Sequence, residues 1–354
     1  MIRPRDPAGD RASVLAPSDG VETYQPCCYP RAVRDTAAGG DDARWFDDAG
    51  FFTGRVVRES MDVGVVAQKG NGRAAALAEE LREELVARDV AVWVDEATAS
   101  ELGVDGVPVE AMRAFDLVCS IGGDGTFLYA ARGASAVPIL GVNLGEVGFL
   151  NAVPPEDAHG ALLAEVERFR ETGSVQSRSL PRLTATGVTD GGAEDGGDGT
   201  AGADDAGGAW SLTPAVNEIV VQGPQRGHGA GAEFEVRVDG ERYWSGHADG
   251  VLVATATGST AYNLSEGGPL VTPAAGSHVV TQMCASDGMP PLVVARDQPV
   301  TVRVTDADSA HAISDGRETR TLDPPATVQA ATADDPVHVA GPPVNFFEAL
   351  GKLD

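Results

Sequence analysis

The sequence predicts an α/β domain built on a parallel sheet, followed by an all-β half and a short terminal helix. Three observations carry that expectation. Between Met61 and Thr172, short wholly apolar segments alternate with stretches of helical spacing, as in a parallel sheet covered on both faces. Beyond Arg182 the period shortens, and Val-rich segments are separated by Gly, Asp and Pro turns. The closing stretch Asn345–Leu353 returns to helical spacing, and so short a helix persists only when docked.

Residues 1–60 stand apart. They hold eight Arg and ten acids among scattered Pro, Gly and Asp, with no sustained period. They read as a disordered or non-native N-terminal extension, with Met61 as the alternative start. Asp62–Ala67 is then a short apolar strand, and Asn71–Arg88 a helix with Leu77, Leu81 and Leu85 on one face. Val90–Val94 is a second strand, Val109–Ala114 a short helix, and Leu117–Ile121 a third strand, followed by a helix starting near Phe127. Val137–Val142 is the fourth strand, and Pro155–Thr172 a helix carrying Leu162, Leu163, Val166 and Phe169. In the second half, 216–222, 233–239, 250–255, 292–295 and 299–304 read as strands. Residues 186–209 hold nine Gly and six acids with no base, a solvated loop. The expected parts are therefore 1–60, an α/β domain over 61–182, a β-rich domain over 183–340 and a terminal helix over 341–354.

The 354 residues carry 26 Lys plus Arg against 53 Asp plus Glu, a formal net charge of −27. Such an excess repels phosphate polymers and anionic lipid, so neither nucleic acid nor a membrane is an expected partner. Only two of the bases are Lys, Lys69 and Lys352. Carboxylate-rich, Lys-poor surfaces resemble proteins of salt-saturated cytoplasm, a halophilic habit that says nothing of the reaction. Cys27 and Cys28 are adjacent while Cys119 and Cys284 are isolated, so no C-x-x-C or disulfide framework is visible. Cys119 reads as a small apolar strand residue. No apolar run approaches the roughly 20 residues of a membrane helix, and no signal core is present, so a cytoplasmic protein is expected.

The strongest chemical signal is Gly122-Gly123-Asp124-Gly125-Thr126, between a buried strand and a helix. Glycines there let backbone N–H groups approach phosphate oxygens, and the C-terminal edge of a parallel sheet is where such folds keep their sites. An acid inside a phosphate-accepting loop makes sense as a metal ligand or as the base for an attacking hydroxyl, and otherwise Asp124 simply caps a helix. The segment is neither a Walker A loop nor G-x-G-x-x-G. Asn143, just past the next strand in Gly141–Leu150, lies beside that loop if the two strands are neighbours; alternatively it shapes a turn. Asn217-Glu218 could grip vicinal hydroxyls, or end a strand in water. His247-Ala248-Asp249-Gly250 leads into a strand and then Thr257–Pro269, which contains Thr260, Ala261, Tyr262, Asn263, Leu264 and Ser265. Hydroxyls, amides and one aromatic ring crowded around glycines suit a planar polar ring, or else a capped helix with a packed Tyr.

In their order and spacing, Gly122–Thr126, Gly141–Leu150, Asn217-Glu218, Asp249-Gly250 and Thr257–Pro269 closely resemble the NAD kinase family, over about residues 61–354. Diacylglycerol kinases, sphingosine kinases and phosphofructokinases share a similar G-G-D-G segment without the Asn-Glu pair or the Thr-Gly-Ser-Thr-Ala-Tyr run. The resemblance implies an α/β domain and a β-sandwich-like domain with the site between them, the last helix packing back on the first domain. It implies transfer of a phosphoryl group from ATP or polyphosphate to the 2′-hydroxyl of the adenosine ribose of NAD, with a divalent metal, usually Mg²⁺. Asp124 would be the proton acceptor. Gly122, Gly123, Gly125, Thr126 and Asn143 would form the loop side of the nucleotide site, and Asn217 and Glu218 would bind ribose hydroxyls. His247 and Asp249 would lie near polar ring edges, and Thr260 to Ser265 would wall the base, with Tyr262 stacking. The family assembles as homodimers or homotetramers whose subunits share dinucleotide sites.

Two polyanionic substrates in so acidic a chain require local cations, for which Lys69, Arg73, Arg226 and Arg317 are the candidates. The chain departs from the family where it has Gly229–Ala232 in a loop often basic, Met289-Pro290-Pro291 for a usual Arg-Pro, and Arg317 after Asp315-Gly316 where Gln is common. Two other classes compete, a lipid kinase with an apolar acceptor groove and an NAD(P)-binding regulator without turnover. The retained Asp124 speaks against the second.

Overall fold

A computed structural model describes residues 22–24, 60–145, 148–188, 210–225, 227 and 231–351. The expectations for 1–60 and for the acidic loop 186–209 therefore lie almost wholly outside the described residues. The first part of the chain runs β1 (Glu22–Tyr24), β2 (Asp62–Ala67), α1 (Gly72–Val86), β3 (Ala91–Val94), α2 (Glu96–Leu102), β4 (Leu117–Gly122), α3 (Asp124–Ala134), β5 (Ile139–Asn143), α4 (Ala158–Thr172) and β6 (Val175–Leu180). β3, β2, β4 and β5 form the parallel body of a seven-stranded sheet, and every residue of β2 and β4 is buried.

Helices cover both faces. On one, Leu77, Leu81 and Leu85 of α1 meet Leu162, Val166 and Phe169 of α4 over the strands. On the other, Phe127, Leu128 and Ala131 of α3 pack with Met112. Asn71 starts α1 by accepting the N–H groups of Arg73 and Ala74. Gly133 brings α3 against the chain at Val109, where a Cβ would stand 2.0 Å from a carbonyl oxygen. The segment 109–114 is a 3₁₀ turn, and α2 is a seven-residue helix that periodicity does not disclose. Its signals are Asp95, which caps Ala97 and Thr98, and Gly103, left-handed at φ 68°.

The second part runs β7 (Leu183–Val188), β8 (Glu218–Gln222), β9 (Ala232–Val238), β10 (Glu241–Ala248), β11 (Gly250–Thr255), α5 (Tyr262–Ser265), β12 (Ser277–Met283), β13 (Leu292–Ala295), β14 (Val300–Thr305), β15 (Ala310–Ser314), β16 (Glu318–Leu322), β17 (Ala326–Thr332), β18 (Val337–Ala340) and α6 (Phe346–Leu350). Two antiparallel sheets, β10-β9-β14-β17-β7 and β13-β12-β11-β8-β15-β16, enclose a core of Val221, Phe234, Val236, Val251, Val253, Val302 and Val328. In β9, Ala232, Phe234 and Val236 point inward while Glu233, Glu235 and Arg237 do not, the alternation of a sandwich.

β18 departs from the expected grouping of 183–340. It leaves the sandwich and enters the first sheet, parallel to β5 and antiparallel to β6. Val337, Val339 and Ala340 are buried there, but a Val-x-Val-Ala strand looks alike in either sheet. The chain then passes to α6, capped by Asn345, and Phe346 meets Phe149 of the first domain at 6.0 Å between ring centroids. The last helix thus docks where the resemblance implied.

Candidate functional site between the domains

β4 delivers the Gly122–Thr126 loop to the C-terminal edge of the parallel sheet, and α3 begins at Asp124. β4 and β5 are neighbours with Gly122 opposite Asn143, so Asn143 does lie beside the loop, its Oδ1 accepting from the Gly145 N–H at 3.0 Å. Gly122 has no room for a side chain, since a Cβ would come within 2.5 Å of Thr126 Oγ1. Above Gly123, by contrast, the space is open.

The Asp124 carboxylate does not cap its own helix. Oδ2 accepts from the Phe149 N–H at 2.9 Å, and Oδ1 from Leu150 and Asn151 at 3.2 and 3.4 Å. Burial pushes its pKa up, and these three N–H groups only partly offset the rise. Asn151, which the sequence did not single out, also donates from Nδ2 to the Gly122 carbonyl at 3.3 Å, tying the two loops together.

Across the cleft, the N–H groups of Val216, Asn217 and Glu218 all donate to the Asp315 carboxylate, at 2.8, 2.8 and 3.1 Å. Asp315 and Gly316 form the β15–β16 hairpin with φ of 46° and 64°, the two positive values of a type I′ turn. The Glu218 carboxyl is buried, and its Oε2 has no partner among the described residues. Burial, and secondarily the Asp315 charge, push its pKa up to about 8, against the pull of the Tyr262 N–H. Gly258 lets the Thr257–Thr260 turn close on this pair, because a Cβ would lie 2.1 Å from the Asn217 carbonyl oxygen.

Tyr262 is half-buried against Val220, Leu252 and Ala256, Thr260 and Ala261 are half-buried beside it, and Leu264 and Ser265 are exposed. Asn263 is a correction. It is fully buried, with Nδ2 donating to Ser259 and Pro269 carbonyls and Oδ1 accepting from Thr281 Oγ1. Those bonds hold the turn and leave no amide donor for a ligand.

His247 and Asp249 are not brought to this cleft. β11 pairs with β8 so that Ala254 faces Glu218 while Gly250 faces Gln222. Asp249, five residues before Ala254, therefore sits at the other end of the strand pair, roughly 17 Å away at the usual strand rise. It is buried and accepts from the Gly227 N–H, whereas His247 is exposed 3.4 Å from Glu233.

Two cavities flank the cleft. One of about 490 Å³ is lined by Gln68, Lys69, Gly123, Gly125, Thr126 and Arg317 among others. The other, about 270 Å³ and largely apolar, lies among Phe149, Arg178, Leu180, Thr257, Thr260 and Phe346. Phe149 belongs to the Gly141–Leu150 cluster, whereas Arg178 and Leu180 carry no motif and only their packing under α6 reveals them. Arg73 is exposed on α1 and lines neither cavity, and Arg226 is outside the described residues. Among the described residues no three His, Cys, Asp or Glu side chains cluster as a metal site.

A parallel-sheet domain with an acid-bearing Gly loop, facing a sandwich domain across a cleft, defines a nucleotide-handling two-domain enzyme. Residues 63–168 match the family model described as ATP-NAD kinase N-terminal domain, and residues 211–340 the one described as ATP-NAD kinase C-terminal domain. The NAD kinase of Halobacterium salinarum is 53% identical over 302 residues, 83% of this chain and 100% of that one. That of Haloarcula marismortui is 52% identical over the same shares of the two chains. Among solved structures, yeast NADH kinase complexed with NADH superposes with a TM-score of 0.70 at 21% identity, over 84% of this chain and 88% of that one. An NAD kinase from Archaeoglobus fulgidus in complex with ATP gives 0.63 at 24%, over 83% and 98%. These two likenesses are of fold. The chain belongs to the NAD kinase family.

Proposed function

We propose that the protein transfers a phosphoryl group from ATP or polyphosphate to the 2′-hydroxyl of the adenosine ribose of NAD, making NADP. The observation that carries this is one chain of contacts across the cleft. Arg317 Nη2 donates to the Gly125 carbonyl at 3.3 Å, and two residues away Asp315 holds the Asn217-Glu218 backbone. The phosphate-type loop and the hydroxyl-gripping pair therefore address the same space.

A ribose hydroxyl is a poor nucleophile at neutral pH, so alignment and proton removal supply much of what the reaction needs. Asn217 and Glu218 orient the vicinal hydroxyls, Asp124 takes the proton, and the open backbone at Gly123 leaves room for phosphate. The apolar cavity under Phe149 and Thr260 suits the base. A Mg²⁺ ion fits a site with few carboxylates, because it is held largely by phosphate oxygens and water. When bound it would neutralise donor charge, with Asp124 the loop's own carboxylate toward it. His247 and Asp249, at the far end of β8 and β11, would serve the dinucleotide site of a neighbouring copy, which makes a homodimer or homotetramer the working form. We place the protein in the cytoplasm, where both substrates are.

The test is incubation with NAD and either ATP or polyphosphate in molar KCl, with NADP read by a coupled dehydrogenase. NADP should accumulate with at least one donor. Its absence with both would overturn the proposal.

A further inference from the structure

The 490 Å³ cavity beside the Gly loop is lined from both domains. Its two cations come from opposite sides: Lys69 from the turn after β2, and Arg317 from the β15–β16 hairpin. In a chain of net charge −27 with two lysines, that pairing outnumbers Asp95, the one carboxylate residue in the same lining. Both side chains are exposed, and among the described residues neither makes an ion pair. The Arg317 guanidinium donates to the Gly125 carbonyl, and its Nη2 stands 3.7 Å from where a Gly125 Cβ would be, so it hangs over the loop. The rest of its fork faces a cavity whose other walls include open backbone at Gly123 and the Thr126 residue.

We propose that Arg317 and Lys69 form a two-sided clamp for the phosphate chain of the donor, a triphosphate or longer polyphosphate. This rests on the kinase reading above and names the residues that read its donor. Arg offers a planar fork that matches phosphate oxygens, while Lys offers a compact point charge, so the two hold adjacent phosphates differently. The hairpin gives the clamp its rigidity. Its type I′ turn is closed by the Arg317 N–H to the Ser314 carbonyl at 3.0 Å and pinned by the three bonds to Asp315. The same turn thus holds the acceptor pair on one side and reaches for the donor on the other. In molar salt the Debye length is about 3 Å, so long-range attraction vanishes and only such direct contacts discriminate donor phosphate from chloride.

The experiment compares wild type with Arg317→Gln, Arg317→Lys and Lys69→Gln. Steady-state kinetics are run with ATP varied at saturating NAD and the reverse, alongside thermal unfolding with and without inorganic tripolyphosphate. Arg317→Gln and Lys69→Gln should each raise the donor KM roughly tenfold or more, the usual weight of a charge-assisted bond, with the NAD KM within about twofold. Arg317→Lys should recover part of the loss, and tripolyphosphate should raise the melting temperature of wild type but not of Arg317→Gln. Unchanged donor KM, or an equal rise in both KM values, would overturn the clamp. A wild type that makes no NADP yet loses its tripolyphosphate stabilisation in Arg317→Gln would sink the kinase reading and keep the clamp. Equal tripolyphosphate stabilisation in both would sink the clamp alone.

Discussion

Asp124→Asn is expected to lower turnover about 10²-fold or more, the usual contribution of a positioned proton acceptor, while NAD still binds. The substitution is mild in structural terms. The amide oxygen can still accept from Leu150 and Asn151, and only the bond from the Phe149 N–H is lost to a donor–donor contact. What an amide cannot do is take the ribose proton. Burial already holds the Asp124 carboxyl above its ordinary range, which makes it a better proton acceptor than a solvated aspartate. Steady-state kinetics with a parallel NAD-binding titration check this, and near-normal turnover would remove Asp124 from the proton-accepting role.

Glu218→Gln should stabilise the substrate-free protein increasingly with pH. Its folded pKa of about 8 lies well above the ordinary carboxylate value of 4.5, so the folded state binds the extra proton between those limits. Stability therefore falls as pH rises from 4.5 to 8, and Glu218 costs nothing below that window and most above it. The full span corresponds to a cost on the order of 5 kcal/mol at pH 8, which the neutral amide removes. Gln also preserves an acceptor for the Tyr262 N–H. Melting curves in molar KCl from pH 5 to pH 9 should show the two proteins converging at acid pH and separating above neutrality. A constant gap would show that Glu218 does not titrate in this window. The gain in stability should come with a weaker grip on NAD, because a buried carboxylate kept for hydroxyls is what the amide replaces.

The parallel body of the first domain was legible because β2 and β4 are wholly buried, and burial on both faces writes an unbroken apolar run. The Gly loop and Asn143 were legible for a related reason, since strand ends at that edge must turn through short-range signals. What failed to show either was too short for a period or was set by distant partners. α2 has too few apolar residues for a period, and β18 has the same letters in either sheet. Asn263 looks like a ligand group until its three bonds to Ser259, Pro269 and Thr281 appear. Likewise, only the strand register separates Asp249 from Glu218. Arg317 stood out in the sequence as a departure from the family, yet its reach to Gly125 depends on a cleft that no local pattern encodes.

The position of β18 also bears on the order in which this chain can be made. A ribosome releases β2 to β6 well before it releases β18, yet β6 joins β5 only through that strand. During synthesis β5 keeps an open edge while the whole sandwich is being added, and an open parallel edge is slow to close and prone to mispairing. The nascent first domain must therefore wait for its own completion until the second is built. Once the strand is in place, pulling the sandwich apart also pulls a central strand from its neighbour, so the two domains should melt in a single step.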